Sequence, residues 1–361
     1  MSSFFRTSQD VRDSLWIQKL HSLGLLTGSF LPGCHTEQLR TYYNHRQYLV
    51  EQTSRYINKM QKALRLMNIR LDVALNDITG KSGRAIIDAI LTGQRDPQKL
   101  ASIVDSRVKK SKEEIAKSLH GNWREDLLFE LKECLSLYDT YQSKILVCDQ
   151  QLKKVLESMQ NTPAVMAPLS KLKKQRSKHS PLFDVRMMAY AHFGADLFAI
   201  PALSFNTILC LMTNISREEL QKFPTVKNFT SWLRLAPNNK KTGGKIISSR
   251  TPKGKNKIAL ALRQAANTIG NMKTHPLLAF FRRVAFKNGR AAAITATARK
   301  LAVIIYQMIT KQQPYQPLNS EVLNKKIKSQ QIKNIKRRLE KLSLNRQELD
   351  TLFSSLSLST A

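Results

Sequence analysis

Two segments of the chain carry apolar positions that alternate in steps of three and four. Over residues 36–71 the stripe runs through Leu39, Tyr42, Arg46, Leu49, Thr53, Tyr56, Met60, Ala63 and Met67, widened by Tyr43, Val50, Ile57 and Leu64. Over residues 123–159 it is cleaner: Leu127, Leu131, Cys134, Tyr138, Tyr141, Ile145, Cys148, Leu152, Val155 and Met159. A period of 3.5 predicts long helices that supercoil left-handedly on one another. The second would be about 55 Å long. Between them, residues 72–122 hold short helical patterns broken by Gly80, Gly83, Gly93 and Asp96-Pro97. That segment predicts a small helical cap at which the chain reverses, giving an antiparallel arm. Tyr43 and Val50, outside the seam, are expected to leave apolar surface that supports a homo-oligomer, helped by a C-terminal helix.

The remaining patterns are helical as well. Residues 8–26 read as a short helix capped by Ser8 and closed by Gly24, with Trp16, Ile17, Leu20 and Leu23 on one face. Residues 183–220 read as helix, Ile200-Pro201-Ala202-Leu203-Ser204, helix, a pattern like a helix-hairpin-helix. Such turns offer backbone amides to a phosphate and normally use glycine, so Ala202 and Ser204 favour packing over phosphate contact here. Helices follow at 257–272, with Ala259, Leu262, Ala266 and Ile269 inward, at 274–287 and at 290–311. A basic amphipathic helix is expected from Glu321 to Leu342, with Leu323, Ile327, Ile335, Leu339 and Leu342 inward. The Ser-rich end after Leu352 reads as frayed. The fold class is therefore mainly α: residues 1–34, an arm over 35–160, a basic Pro-containing linker over 161–182, a helical unit over 183–315 and a C-terminal helix and tail over 316–361.

Charge changes this picture. The 361 residues carry a formal net charge of +33, with 42% hydrophobic residues, enough for packed cores. No Asp or Glu occurs between Glu219 and Glu321, while Lys and Arg recur, most densely from Lys240 to Lys257. A folded unit without carboxylates cannot neutralise itself, and a phosphate backbone is the usual external polyanion. The competing reading is a solvated basic loop. A membrane role is not expected: the longest apolar run, Ala199 to Met212, reads as a buried helix, and the N-terminus lacks the apolar region of a signal peptide. Cys34, Cys134, Cys148 and Cys210 form no CxxC pair, so no zinc site is expected and reduced cytosolic thiols fit best.

Two stretches can carry chemistry. Asp10 and Asp13 are three apart and share a helix face. Such a pair can hold a divalent cation if further acids join it, and it is also what the dipole of a helix N-terminus favours. In the basic run, Thr242 precedes Gly243-Gly244. A hydroxyl on a mobile glycine turn among cations can attack a phosphodiester; it can equally hydrogen-bond a phosphate or start a strand. Lys240, Lys241, Lys245, Arg250, Lys253, Lys255 and Lys257 surround it, Arg263 follows on the next helix, and Arg299 and Lys300 lie mid-helix further on.

The order of several short motifs resembles a known family. They are Asp10-Val11-Arg12-Asp13 with Trp16-Ile17-Gln18, Asp77-Ile78-Thr79-Gly80, Arg95-Asp96-Pro97, Gly121-Asn122-Trp123-Arg124 and Phe183-Asp184-Val185-Arg186. Phe223-Pro224-Thr225, Thr242-Gly243-Gly244-Lys245 and Thr295-Ala296-Thr297-Ala298-Arg299-Lys300-Leu301-Ala302 complete the set. Together they are similar to the insertion-sequence transposases that combine a RuvC-like DEDD nuclease domain with a serine-bearing transposase domain, the bridge-RNA-guided recombinases. The resemblance implies DNA transposition by strand exchange, a covalent phosphodiester intermediate, Mg2+, a structured guide RNA, a homo-oligomer and a bacterial cytoplasmic, nucleoid-associated setting. It casts Asp10 and Asp13 as the final acidic pair, Thr242 in the place of the family's nucleophilic serine and Arg263 beside the attacked phosphate. Two departures stand out. The first Asp and the Glu of the nuclease have no counterpart, since nine residues precede Asp10. This predicts a chain lacking most of that domain and an incomplete metal site, hence an impaired enzyme. Thr242 also adds a methyl group at the attacking carbon, and Ser248 and Ser249 are rival hydroxyls. The alternatives are a non-catalytic nucleic-acid-binding remnant and a structural coiled-coil protein.

Overall fold

The structure, a computed structural model, describes residues 6–26, 31–108, 110–159 and 179–317, with 329, 332–335 and 337 beyond them. It is mainly α-helical. Two helices dominate the first half, α2 (Cys34–Leu66) and α7 (Glu125–Ser158). They pack antiparallel: Leu39 and Tyr43 meet Leu152 and Leu156, Leu49 meets Ile145 and Cys148, and Met60 and Leu64 meet Leu131 and Tyr138. The expected seam is the buried one, with Tyr56 stacked on Tyr141 at a ring separation of 5.5 Å. α2 stops short of residue 71 because Asn68 takes the left-handed conformation at φ 61°. Four short helices form the cap: α3 (Leu71–Ala74), α4 (Lys81–Leu91), α5 (Pro97–Ser102) and α6 (Lys112–Ser118). Asp96 and Ser111 cap α5 and α6.

One polar pair sits within the seam. Arg46 and Asp149 are buried and paired at 2.5 Å, and the Arg46 Nη2 donates to the His179 carbonyl at 2.8 Å. Arg46 therefore stitches α2, α7 and the chain entering the second half.

The second half contains α8 (Val185–Phe193), a 3-10 turn (Leu197–Ala199), α9 (Phe205–Met212), α10 (Arg217–Gln221) and α11 (Val226–Trp232). A hairpin of β1 (Lys240–Thr242) and β2 (Lys245–Ser248) follows. Then come α12 (Lys257–Asn271), α13 (Leu278–Asn288) and α14 (Arg290–Lys311). α13 begins after residue 274 because Pro276 steers His275 before it away from the helical conformation. The run Ala199–Met212 is not one helix: Pro201 and Ala202, the latter at φ 72°, form a turn, and Ser204 caps α9. The Pro201 carbonyl faces His275 Nε2 at 3.2 Å and Ala202 packs on the core, so this turn serves packing. By length and composition α14 could cross a bilayer. Here Leu301, Ala302, Ile305 and Ile309 are core, against α11, α12 and α13.

Several expectations need correction. The helix α1 (Arg6–Ser22) begins before Ser8, which is not its cap, and Trp16, Ile17 and Leu23 are exposed rather than packed. Gly24, at φ 65°, does close it. Tyr43 is not arm surface: it is buried in the core it shares with Cys210, and Val50 packs beside Leu49 and Ile145. Neither offers the oligomer face inferred from the pattern. Ile335, expected inward, is 56% exposed. The linker's Lys171–Lys178 run, Leu323, Ile327, Leu339, Leu342 and the Ser-rich end lie outside the described residues.

Candidate nucleic-acid interface

The hairpin is built by its glycines. Thr242 pairs with Lys245 across Gly243 and Gly244, whose φ values are 53° and 78°. A two-residue type I′ turn requires positive φ at both central positions, which glycine meets without strain. The two glycines thus define a tight turn. Lys240, Lys241 and Lys245 are exposed along the two strands, and Thr242 is exposed at the turn. The Asn238 amide donates to the Arg250 carbonyl at 3.0 Å, closing the base of the hairpin.

Below that base, the Arg234 guanidinium donates to the Lys253 carbonyl, and Arg263 Nη2 donates to the Arg234 carbonyl at 3.5 Å. Arg263 therefore braces the loop from α12. It stands at the foot of the hairpin, and Thr242 at the far end, about four residues or 13 Å of strand away. The structure does not bring these two together. Asn256 caps α12 by accepting from the Ala259 amide at 3.1 Å, and Lys257 donates to Asn44 of α2. Lys257 thus ties the basic segment to the arm. Lys253 and Lys255 are exposed.

Arg250, Arg299 and Lys300 do come together. They line a groove of about 1270 Å³ between α13, α14 and the irregular segment leaving the hairpin. The groove exists because α14 presents Ala291, Ala292 and Ala296 where it faces Phe280 and Val284 of α13. Ser249, Thr251 and Thr295 add hydroxyls to the same walls. Lys300 Nζ lies 4.5 Å from the centre of the Phe280 ring. Burial first, then the positive charge of Arg283, holds the Lys300 amine below the usual lysine range. Sequence reasoning named the cations but missed Phe280 and the groove. The signal was there in the small residues of Ala291-Ala292-Ala293 and Ala296, which leave room on a core helix.

Every ion pair among the described residues falls between Arg46 and Asp196. The nineteen Lys and Arg residues from Lys222 to Lys311 include no such pair. Among the described residues, the cations of the hairpin, loop and groove have no carboxylate partner within ion-pair distance.

Asp10 and Asp13 are exposed on α1. Among the described residues no group of three or more His, Cys, Asp or Glu is arranged to hold a metal ion. Two surface carboxylates do not make a magnesium site, which needs a near-octahedral set of oxygens.

The chain is thus a helical unit whose basic hairpin and cationic groove lie in a stretch without carboxylates, mounted on a helical arm. Residues 195–282 match a family model described as the Transposase IS116/IS110/IS902 family. This stretch, from before the 3-10 turn to the first turns of α13, is similar to insertion-sequence transposases. No curated protein matches the chain.

Proposed function

We propose that this chain is a DNA-binding protein of the insertion-sequence transposase type, which engages phosphate backbones through the hairpin and its following loop. The observation that carries this reading is a folded unit with many cations, no carboxylate from Leu220 to Ser320, and a transposase-family match over most of the hairpin side. In strand exchange, Thr242 Oγ would attack a phosphorus and form a Thr–phosphate ester, releasing the sugar hydroxyl of the cut strand. A second strand's hydroxyl would reverse the step. No part of this is routed through a metal, because Asp10 and Asp13 alone do not fit one. A guide RNA and a homo-oligomer remain part of the proposal through the family resemblance. A second reading, binding without strand exchange, is favoured by one observation: Thr242 and Arg263 lie at opposite ends of the hairpin.

Replacing Lys241, Lys245, Lys253 and Lys257 together with Ala tests the interface. Each neutralised phosphate contributes about 0.9 to the log–log salt slope on duplex DNA. The quadruple variant should flatten the slope and weaken binding on every sequence. Binding that is absent in the parent protein, or insensitive to salt, would rule the interface out.

A further inference from the structure

We infer that the groove between α13, α14 and the irregular segment leaving the hairpin takes an unpaired nucleotide strand, with its phosphates on Arg250, Arg299 and Lys300 and a base on the carbon surface. This rests on the reading that the carboxylate-free stretch from Leu220 to Ser320 meets nucleic acid, and it adds which form of nucleic acid enters. At about 1270 Å³ the groove is larger than the roughly 300–1,000 Å³ of a typical small-molecule cleft. Phe280, Val284 and Ile304 give it a carbon surface, and Arg250, Arg299 and Lys300 line it as well, Lys300 beside the Phe280 ring.

A duplex cannot use both surfaces. It carries its phosphates on an outer cylinder and keeps base faces stacked inside, so it would meet the cations and leave the carbon surface bare. An unpaired nucleotide presents an apolar face and a phosphate a few ångströms apart. Base faces on aromatic and apolar side chains beside cations are how single strands are held without regard to sequence. Lys300 is partly buried and lies near the positive charge of Arg283, a setting in which charges are poorly screened. A phosphate entering the groove offsets that positive charge, whereas an apolar peptide would leave it in place. The wall hydroxyls of Ser249 and Thr251 supply polar partners for the strand.

The test fills the groove without touching a charge. Ala292→Phe and Ala296→Phe are made separately in the full chain. Each is titrated against an oligothymidylate of about 12 nucleotides, within the length a single binding face covers, and against a duplex of the same length. Both should weaken single-strand binding by at least about fivefold, the loss of one stacked base. Duplex binding, carried by the hairpin lysines, should stay within about twofold, which also shows that the variants are folded. Equal losses on both ligands, or unchanged single-strand binding in both variants, overturn the inference. The second result is also what a groove occupied by the chain's own C-terminal residues would give. If the parent chain binds neither ligand, the underlying nucleic-acid reading falls with it; if it binds duplex alone, only the groove assignment falls.

Discussion

Lys300 is charged at neutral pH by its chemistry, yet it lies where burial and Arg283 both disfavour that charge. A bound phosphate reverses the balance and raises the amine's affinity for its proton. Binding at the groove should therefore weaken as pH rises through the depressed Lys300 value, because above it a proton must be taken up on binding. Lys300→Arg stays charged throughout and should remove most of that alkaline decline; an unchanged pH profile would mean that Lys300 does not meet the ligand. His192 titrates in the opposite sense for folding. It is partly buried, its Nε2 faces the Ile215 carbonyl at 3.4 Å, and burial holds it below the usual histidine range. The unfolded chain thus binds the proton first, so stability should fall as pH drops below about 6.5. His192→Gln should flatten the melting temperature between pH 7 and 5, taking the reference pKa of about 6.5 as its midpoint. Thr242 is a third residue whose role is separable. Thr242→Ala removes no charge, so DNA binding should persist, while any covalent protein–DNA adduct on a nicked substrate, seen on a denaturing gel, should disappear.

Among the elements, the arm was the most legible in the sequence, because a 3.5-residue period admits one partner geometry and fixes the seam residue by residue. Arg46 fits that period without being apolar, and only the structure shows why: Asp149 meets it one helix away. Asp149→Ala should cost about 3–5 kcal/mol in denaturant unfolding, since it leaves a buried guanidinium unpaired. Replacing both partners by Met and Leu should recover most of that loss, because a well-packed apolar pair carries no desolvation penalty. The hairpin was harder to read. Lys240–Ser248 has too few apolar positions for a period, and its Gly-Gly pair is equally compatible with a mobile loop. The groove was legible only as a run of small residues at Ala291, Ala292 and Ala296; its walls come from residues near 250, 280 and 300 that only helix packing brings together.

Across the whole molecule, the two halves share one core at the root of the arm. Leu39, Tyr43, Leu152 and Leu156 of the arm are buried with Ile208, Cys210 and Leu262 of the second half. Glu219 accepts from the Gly33 amide there, and Arg40 Nη2 donates to the Asn214 carbonyl at 3.2 Å. The apolar pattern could not reveal this, since Tyr43 looks like a widened stripe until α9 is placed against it. Leu39→Ala should cost about 2–5 kcal/mol, and hydrogen exchange should show lost protection in α9 as well as in α2. Loss confined to α2 would mean that the halves unfold independently. Because this root is packed and α2 runs about 35 Å beyond Tyr43, the pair of helices can act as a lever. A tilt of about 5° at Tyr43 would sweep the far end of α2 through about 3 Å, given that length. Lys257, held by Asn44 beside the fulcrum, would feel the same rotation, so a load on the distant cap would be transmitted to the basic loop as a change of angle.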